Sequence, residues 1–244
     1  MKSYWGMVKR QLPLLTREEQ EKFKNTKITV IGCGGLGGMV IEMLVRMGAG
    51  KLVVVDEDIF DMSNLNRQIL STRSNICREK SGEALKRIHE INPEVRVSCF
   101  CEHVDESNAE RFLEGSGIVI DCLDNIPARV TVSRKAREYK IPFVHGAVSG
   151  TLGQVTTFLA NTVSYEEMFM LPSLEKELTC DIYESLESIG TANPPVIGPV
   201  VNLVSCVQAM EAFKIVTGIG KVTVAPRILT FDLLDLNSFS VGEI

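Results

Sequence analysis

Two cationic residues and one acidic residue, Arg67, Lys80 and Asp124, are the clearest candidates for chemistry in this 244-residue chain. Breaking the bond between the α- and β-phosphates of a nucleotide leaves growing negative charge on pyrophosphate, which cations stabilise. Arginine offers a two-pronged contact and lysine a point charge. The set favours phosphate chemistry over simple dinucleotide binding. The competing interpretations are an ordinary exposed lysine at position 80 and a loop ion pair between Arg67 and Asp58 or Asp61.

A glycine turn precedes these groups. The segment I-T-V-I-G-C-G-G-L-G-G begins at Ile28, and an amphipathic stretch then leads to K-L-V-V-V-D, which ends at Asp56. Strand, glycine turn, helix and a second strand ending on an acid are typical of a βαβ unit that binds an adenine nucleotide. The acid suits ribose hydroxyls, although a solvated loop acid is the alternative. The glycines expected to let the backbone approach a phosphate are Gly32, Gly34, Gly35 and Gly37.

Further polar residues follow the second strand. Neutral hydrogen bonds to phosphate are expected from Asn64, Asn66 and Gln68, and Asp58 is expected to lie among the nucleotide contacts.

The segment D-C-L-D-N places two acids at the end of the fourth predicted strand. A carboxylate there faces the crevice of an open α/β sheet. Asp124 is suited to hold Mg²⁺ that bridges triphosphate oxygens, with Asn125 assisting. The alternative is that Asp124 caps the helix that Pro127 opens.

These residues need a scaffold that brings strand ends together. Alternating strand and helix signals predict a doubly wound, Rossmann-like α/β fold with a mostly parallel sheet up to about residue 147. Gly150–Phe158 is predicted to be an antiparallel strand, Pro199–Val216 a helix, and Arg227–Phe231 and Ser238–Val241 closing strands. Residues 160–195, rich in proline, are predicted to be a long irregular crossover, which in a compact domain is usually functional or mobile.

Composition limits the classes of protein. A net charge of −5 disfavours broad nucleic-acid binding. None of the seven cysteines forms a C-x-x-C pair, and their odd number in a chain not expected to be secreted argues against a disulfide framework. The amino terminus lacks the apolar core of a signal peptide. The longest apolar stretch, 194–216, is broken by polar residues and is not expected to cross a membrane. We therefore expect a cytoplasmic protein.

Taken together, the motifs resemble the ThiF/MoeB/HesA family of ubiquitin-activating-enzyme-like adenylyltransferases. The resemblance runs from Arg10 to Phe231 and is carried by G-C-G-G-L-G, D-E-D-x-x-x-x-S-N-L-N-R-Q, Lys80, I-N-P, D-C-L-D-N, G-x-x-G-Q and Q-A-M-E-A-F-K. It implies that ATP and a carboxylate give an acyl-adenylate and pyrophosphate. It also implies a single domain over 1–244, with an ATP-binding part at about 1–147, including the N-terminal helix, and an acceptor-binding part at about 148–244.

The resemblance assigns roles to particular residues. Contacts to ATP and its metal are implied for Gly35, Asp56, Ser63, Asn64, Arg67, Lys80, Asp124 and Asn125. Arg10 matches an arginine that relatives insert into the partner subunit's site, which implies a homodimer; a surface charge on an N-terminal helix is the alternative.

The chain also departs from many relatives. They carry two C-x-x-C pairs that bind zinc, which are missing here, so no zinc site is expected. Cys180 matches a loop cysteine that some relatives use for thioester or persulfide chemistry, a role that requires an exposed, low-pKa thiol.

The acceptor stays open. It is either the C-terminal glycine of a ubiquitin-like or sulfur-carrier protein or a small-molecule carboxylate, as in the guanylylpyridinol pathway of the [Fe]-hydrogenase cofactor. A tRNA threonylcarbamoyladenosine dehydratase, an NAD-dependent oxidoreductase and a catalytically silent partner subunit are further alternatives. The oxidoreductase and the silent subunit would give no role to Arg67, Lys80 and Asp124.

Overall fold

A single eight-stranded sheet organises the chain. The computed structural model describes residues 4–189 and 195–243, and its strands lie in the order β3-β2-β1-β4-β5-β6-β7-β8. Their bounds are β1 Lys27–Ile31, β2 Lys51–Val55, β3 Arg96–Phe100, β4 Ile118–Asp121, β5 Phe143–Ser149, β6 Leu152–Phe158, β7 Arg227–Asp232 and β8 Asp235–Glu243. This arrangement confirms the Rossmann-like α/β prediction.

The first five strands are parallel, and their order reverses beside β1. Strand β1 pairs with β2 on one side and with β4 on the other, so that Ile31 is opposite both Val55 and Asp121. Both faces of β1, β2 and β4 are covered, because their residues are almost all buried. In an open α/β sheet, ligands bind where the strand order reverses, at the carboxyl ends of the strands. The fold therefore locates the candidate site above β1 and β4.

The last three strands are antiparallel, as predicted. Strand β6 pairs with β5 through a tight connection, and β7 and β8 form an edge hairpin. The predicted boundary near residue 147 falls inside β5, so the two parts share one sheet; their division by function stays a prediction.

Helices cover both faces of the sheet. One core contains the packed faces of α2, α3, α4 and α9, and the other contains α5, α6, α7 and α8. The helices are α1 Tyr4–Val8, α2 Arg17–Asn25, α3 Gly35–Arg46, α4 Lys80–Ile91, α5 Ala109–Leu113, α6 Ile126–Glu138, α7 Tyr165–Met168, α8 Cys180–Ile189 and α9 Gly198–Thr217.

Helix α9 lies on the face of the sheet that α2, α3 and α4 also cover. It packs against α3, β5 and β6. Among residues 4–189 and 195–243, α9 is the one helix whose length and composition would suit a membrane span, and more than half of it is buried inside the fold.

The crossover predicted to be irregular over residues 160–195 contains two helices, α7 and α8, that the sequence did not predict. Ser164 and Glu167 form a reciprocal cap that holds the short helix α7. Helix α8 follows and buries a single side chain, Leu186, against α6. Residues 190–194, which include Pro194, lie outside the described residues.

Candidate active site

The glycine turn joins β1 to the amino end of α3. Gly32 has a φ of +97°, and a Cβ on it would lie 2.4 Å from the carbonyl oxygen of Cys122. A Cβ on Gly37 would lie 1.8 Å from the carbonyl oxygen of Gly32, so both positions require glycine. Helix α3 begins at Gly35, and its N-cap, Gly34, supplies no side-chain hydrogen bond. Its first backbone N–H groups are therefore available to an anion.

The carboxylate of Asp56 braces this turn. It accepts hydrogen bonds from the backbone N–H of Cys33, at 2.6 Å, and of Asp58, at 2.8 Å. Burial raises the pKa of Asp56, while these hydrogen bonds and Lys80 oppose the rise. The carboxyl group is half-buried at the end of β2, where a ribose would lie.

Lys80 is a buried lysine and not the exposed one of the alternative interpretation. It begins α4, its side chain is 8% exposed, and its Nζ lies 2.8 Å from Oδ2 of Asp58. The carboxylate of Asp58 is 62% exposed. The site thus holds a buried ammonium whose ion-pair partner, Asp58, faces solvent.

The turn between β2 and α4 carries the next candidates. Asn64 is buried and accepts from the backbone N–H of Asp61, so its oxygen shapes the turn. The exposed Ser63 accepts through its carbonyl from Arg67, whose Nη1 also donates to Asn66. The predicted alternative of an ion pair between Arg67 and Asp58 or Asp61 is absent from the described residues.

Arg67 and Gln68 approach the glycine turn directly. A Cβ on Gly35 would lie 3.9 Å from Cγ of Arg67, and one on Gly34 would lie 3.5 Å from the amide of Gln68. Gln68 is buried, and its Oε1 has no hydrogen-bond partner in the described part of the chain. An orphaned buried acceptor beside a helix terminus marks a place that a ligand group can complete.

The turn after β4 lies on the other side of the glycine turn, because the N–H of Cys122 donates to the carbonyl of Ile31 at 2.9 Å. The alternative in which Asp124 caps α6 was wrong: the cap is Asn125, whose Oδ1 accepts from Ala128 at 2.8 Å. Asp124 is exposed, and its carboxylate forms no hydrogen bond or ion pair among the described residues.

Sequence reasoning missed a buried charged cluster beneath this turn. Asp121 lies 3.2 Å from Nε of Arg129 and accepts from Nδ1 of His145 at 2.7 Å. Burial would raise the pKa of Asp121, but Arg129 and His145 hold it below its usual value. Burial lowers the pKa of His145. One signal in the sequence could have indicated this cluster: Arg129 lies between the apolar residues Ala128 and Val130 in a predicted helix.

His145 belongs to the core. It is 1% exposed and is surrounded by the rings of Tyr165, Phe169 and Phe158.

Arg10 lies at the far end of α3 from the glycine turn. It is exposed, and its neighbour Gln11 donates to the carbonyl of Met47 at 2.7 Å. Helix α3 has 12 residues, so its ends are about 18 Å apart. Arg10 is therefore out of reach of its own subunit's glycine turn.

Cys180 is also separated from the site. It is exposed at the start of α8, and the preceding Thr179 shares a charged surface groove with Arg134 of α6. Arg134 lies about 13 Å along α6 from Asn125. The structure does not bring this thiol to the phosphate-binding groups.

A Rossmann-like sheet and a glycine turn at an uncapped helix amino end, with Arg67 and Lys80 on the segment that follows β2, are typical of a nucleotide-binding α/β protein. Comparison with known proteins gives the family. The chain belongs to the ThiF family, which matches residues 8–243. The named relatives identify its enzyme class as an adenylyltransferase of the ThiF/MoeB type.

Three similar proteins illustrate the relationship. The SAMP-activating enzyme E1 of Haloferax volcanii is 32% identical over 219 residues, which are 90% of this chain and 77% of that protein. A sulfur carrier protein adenylyltransferase of Thermus thermophilus is 33% identical over 230 residues, or 92% and 81% of the two chains. The structure of E. coli MccB with ATP has a TM-score of 0.77 at 19% identity, over 92% of this chain and 66% of that one, which supports the fold.

Proposed function

We propose that the enzyme activates a carboxylate with ATP, forming an acyl-adenylate and releasing pyrophosphate. The observation that carries this proposal is the arrangement around the amino end of α3, where Arg67 and Gln68 lie beside the glycine turn on one side and the Asp124 turn on the other. Family membership favours adenylylation over the hydride transfer of an NAD-dependent oxidoreductase.

Each residue has a role that its geometry supports. The N–H groups at Gly34 and Gly35 bind phosphate, and Asp56 accepts from the ribose. Arg67 and Lys80 stabilise the charge that develops on the pyrophosphate leaving group. Neutral hydrogen bonds come from Ser63, Asn64, Asn66, Gln68 and Asn125, and Asp58 holds Lys80 in place before the nucleotide binds.

Asp124 is proposed as the magnesium ligand. Its exposed carboxylate forms no hydrogen bond or ion pair among the described residues, and Mg²⁺ in nucleotide sites usually takes one or two carboxylates together with phosphates and water. The donor set fits. When bound, Mg²⁺ neutralises charge on the phosphate oxygens. The chain's own part is to present the Asp124 carboxylate beside the glycine turn.

A homodimer with Arg10 acting across the interface is part of the proposal. The intrasubunit separation of about 18 Å between the ends of α3 supports it, because Arg10 lies at the end far from the phosphate-binding groups. An arginine supplied by a second subunit stabilises the same charge as Arg67.

The acceptor is proposed to be the C-terminal glycine of a ubiquitin-like or sulfur-carrier protein. The two relatives named for SAMP activation and for a sulfur carrier protein, at 32% and 33% identity over nine-tenths of this chain, support that choice. A small-molecule carboxylate, as in cofactor biosynthesis, is the second candidate. It is favoured by the lack of any C-x-x-C pair. Because ATP is the substrate, we propose a cytoplasmic location.

Pyrophosphate exchange tests the function. The enzyme is incubated with ATP, Mg²⁺ and labelled pyrophosphate, with a sulfur-carrier protein that ends in Gly-Gly or with the same carrier lacking those two residues. Label should enter ATP with the intact carrier and not with the truncated one. Exchange driven by small carboxylic acids alone would favour the second candidate. No exchange with any acceptor would contradict the proposal.

A further inference from the structure

The residue that precedes Asp124, Leu123, is held at its backbone N–H and at its carbonyl by the two members of one ion pair. The N–H of Leu123 donates to Oδ1 of Asp121 at 3.0 Å. The carbonyl of Leu123 accepts from Nη2 of Arg129, which also donates to the carbonyl of Gly146 in β5 at 3.2 Å.

The ion pair between Asp121 and Arg129 is buried, and its geometry is restricted by neighbouring groups. The side chain of Asp121 is 0% exposed and that of Arg129 is 12% exposed. Their closest atoms, Oδ2 and Nε, are 3.2 Å apart, and His145 holds Oδ2 from the other side at 2.7 Å. A buried charge without its partner is costly, so the carboxylate fixes where the guanidinium lies.

The residue after Asp124 is fixed as well. Asn125 caps α6 through its side chain, and its carbonyl accepts from the backbone N–H of Arg129 at 3.4 Å. Asp124 thus lies between two held residues. Its own carboxylate is exposed and forms no hydrogen bond or ion pair in the described chain, and its electrostatic interaction is with Arg129. Such an arrangement fixes where the backbone presents the carboxylate.

We infer that Arg129, held by Asp121, is a positioning residue for the metal ligand Asp124. It acts through the carbonyl of Leu123 and touches neither nucleotide nor metal. The inference rests on the proposed function, because it assumes that Asp124 binds the metal. Groups that orient a metal ligand without touching the metal typically change metal affinity by about 10- to 100-fold when they are replaced.

The chain supplies a matched control on the same helix. Arg134 also pairs with a buried carboxylate, Glu166, at 2.7 Å, and also donates to a backbone carbonyl, that of Ser173, at 2.7 Å. Its contacts lie on the α7 side of α6 and do not include the turn after β4. Substitution there tests the general effect of losing an arginine that pairs with a buried carboxylate on α6.

The experiment measures Mn²⁺ binding by electron paramagnetic resonance, with a non-hydrolysable ATP analogue present. Arg129→Lys keeps the charge beside Asp121 but loses the planar fork that reaches two carbonyls. Should that variant not fold, Asp121→Asn combined with Arg129→Gln removes both charges together, which avoids an unpaired buried charge. Arg134→Lys is the control, and Asp124→Asn defines the loss of the ligand.

We expect Mn²⁺ affinity to fall about 10- to 100-fold in the Arg129 variants. Affinity for the analogue without metal should stay near wild type, and Arg134→Lys should bind Mn²⁺ normally. In the Asp124→Asn background, Arg129→Lys should cause no further loss. Wild-type Mn²⁺ affinity in the folded Arg129 variants, with affinity lost in Asp124→Asn, would overturn the inference alone. Wild-type affinity in Asp124→Asn would overturn the metal role of Asp124 as well.

Discussion

Replacing Gly37 with alanine is the sharpest test of how the glycine turn positions its helix. The added Cβ would lie 1.8 Å from the carbonyl oxygen of Gly32, whereas ordinary contact begins at 3.4 Å. The turn and the first turn of α3 must therefore separate by 3.4 − 1.8 = 1.6 Å. Both contacting groups are backbone, so no flexible side chain can relieve the clash.

The expected loss follows from that displacement. Overpacking costs about 1–3 kcal/mol, and alanine regains up to about 1 kcal/mol over glycine inside a helix. We expect the free energy of unfolding to fall by about 1–2 kcal/mol. A misplacement of about 1 Å can cost about 100-fold in rate, so pyrophosphate exchange should fall by at least about that factor.

Gly82→Ala is the matched control. Gly82 is also helical, but its added Cβ would meet only the side chain of Glu79, at 3.7 Å. This variant should gain up to about 1 kcal/mol and keep normal exchange. Urea unfolding and the exchange assay measure both effects. If Gly37→Ala is as stable and as active as Gly82→Ala, the steric reasoning is refuted.

Four further outcomes are expected. Asp124→Ala should abolish exchange with little change in melting temperature, because the carboxylate is exposed and forms no hydrogen bond or ion pair in the described chain; near-normal exchange would reject its metal role. Arg10→Ala and Lys80→Ala subunits should each be impaired, and verified heterodimers should regain part of the activity; no regain would argue against action in trans. Cys180→Ser should leave exchange unchanged, since the thiol lies away from the phosphate-binding groups; loss in a folded variant would contradict this. Burial lowers the pKa of His145 below 6.5, so the unfolded state binds its proton more readily and stability falls as pH drops below 6.5. His145→Asn should reduce that fall in urea unfolding at several pH values, and an unchanged slope would count against it.

The strand ends and the glycine turn were readable from the sequence because their signals are local. The strand, glycine turn and helix predicted from the motif at Ile28 are observed as β1 and α3, and the second strand, predicted to end at Asp56, is β2 Lys51–Val55. Alternating apolar and polar runs, bounded by glycine, determine these elements with little help from tertiary contacts.

The elements and contacts that the sequence did not predict depend on tertiary contacts. Helix α7 has four residues and depends on the cap between Ser164 and Glu167, and α8 has almost no buried face. Neither produces the long apolar periodicity that predicts a helix. The choice of Asn125 over Asp124 as the cap, and the pairing of Arg129 with Asp121, depend on how β4 meets α6. The local sequence allowed both caps, so the structure was needed to choose.

If Lys80 has its proposed role, its contact with Asp58 determines what a polyphosphate must displace when it binds. Folding, not binding, has already stripped water from this ammonium, while the carboxylate it faces is still mostly hydrated. A phosphate oxygen that arrives there exchanges one anion for another, and the displaced carboxylate returns to bulk solvent at little cost. Binding of a nucleotide at Lys80 would thus replace one anion by another beside a buried ammonium. Inorganic anions should therefore inhibit nucleotide binding more than neutral solutes do.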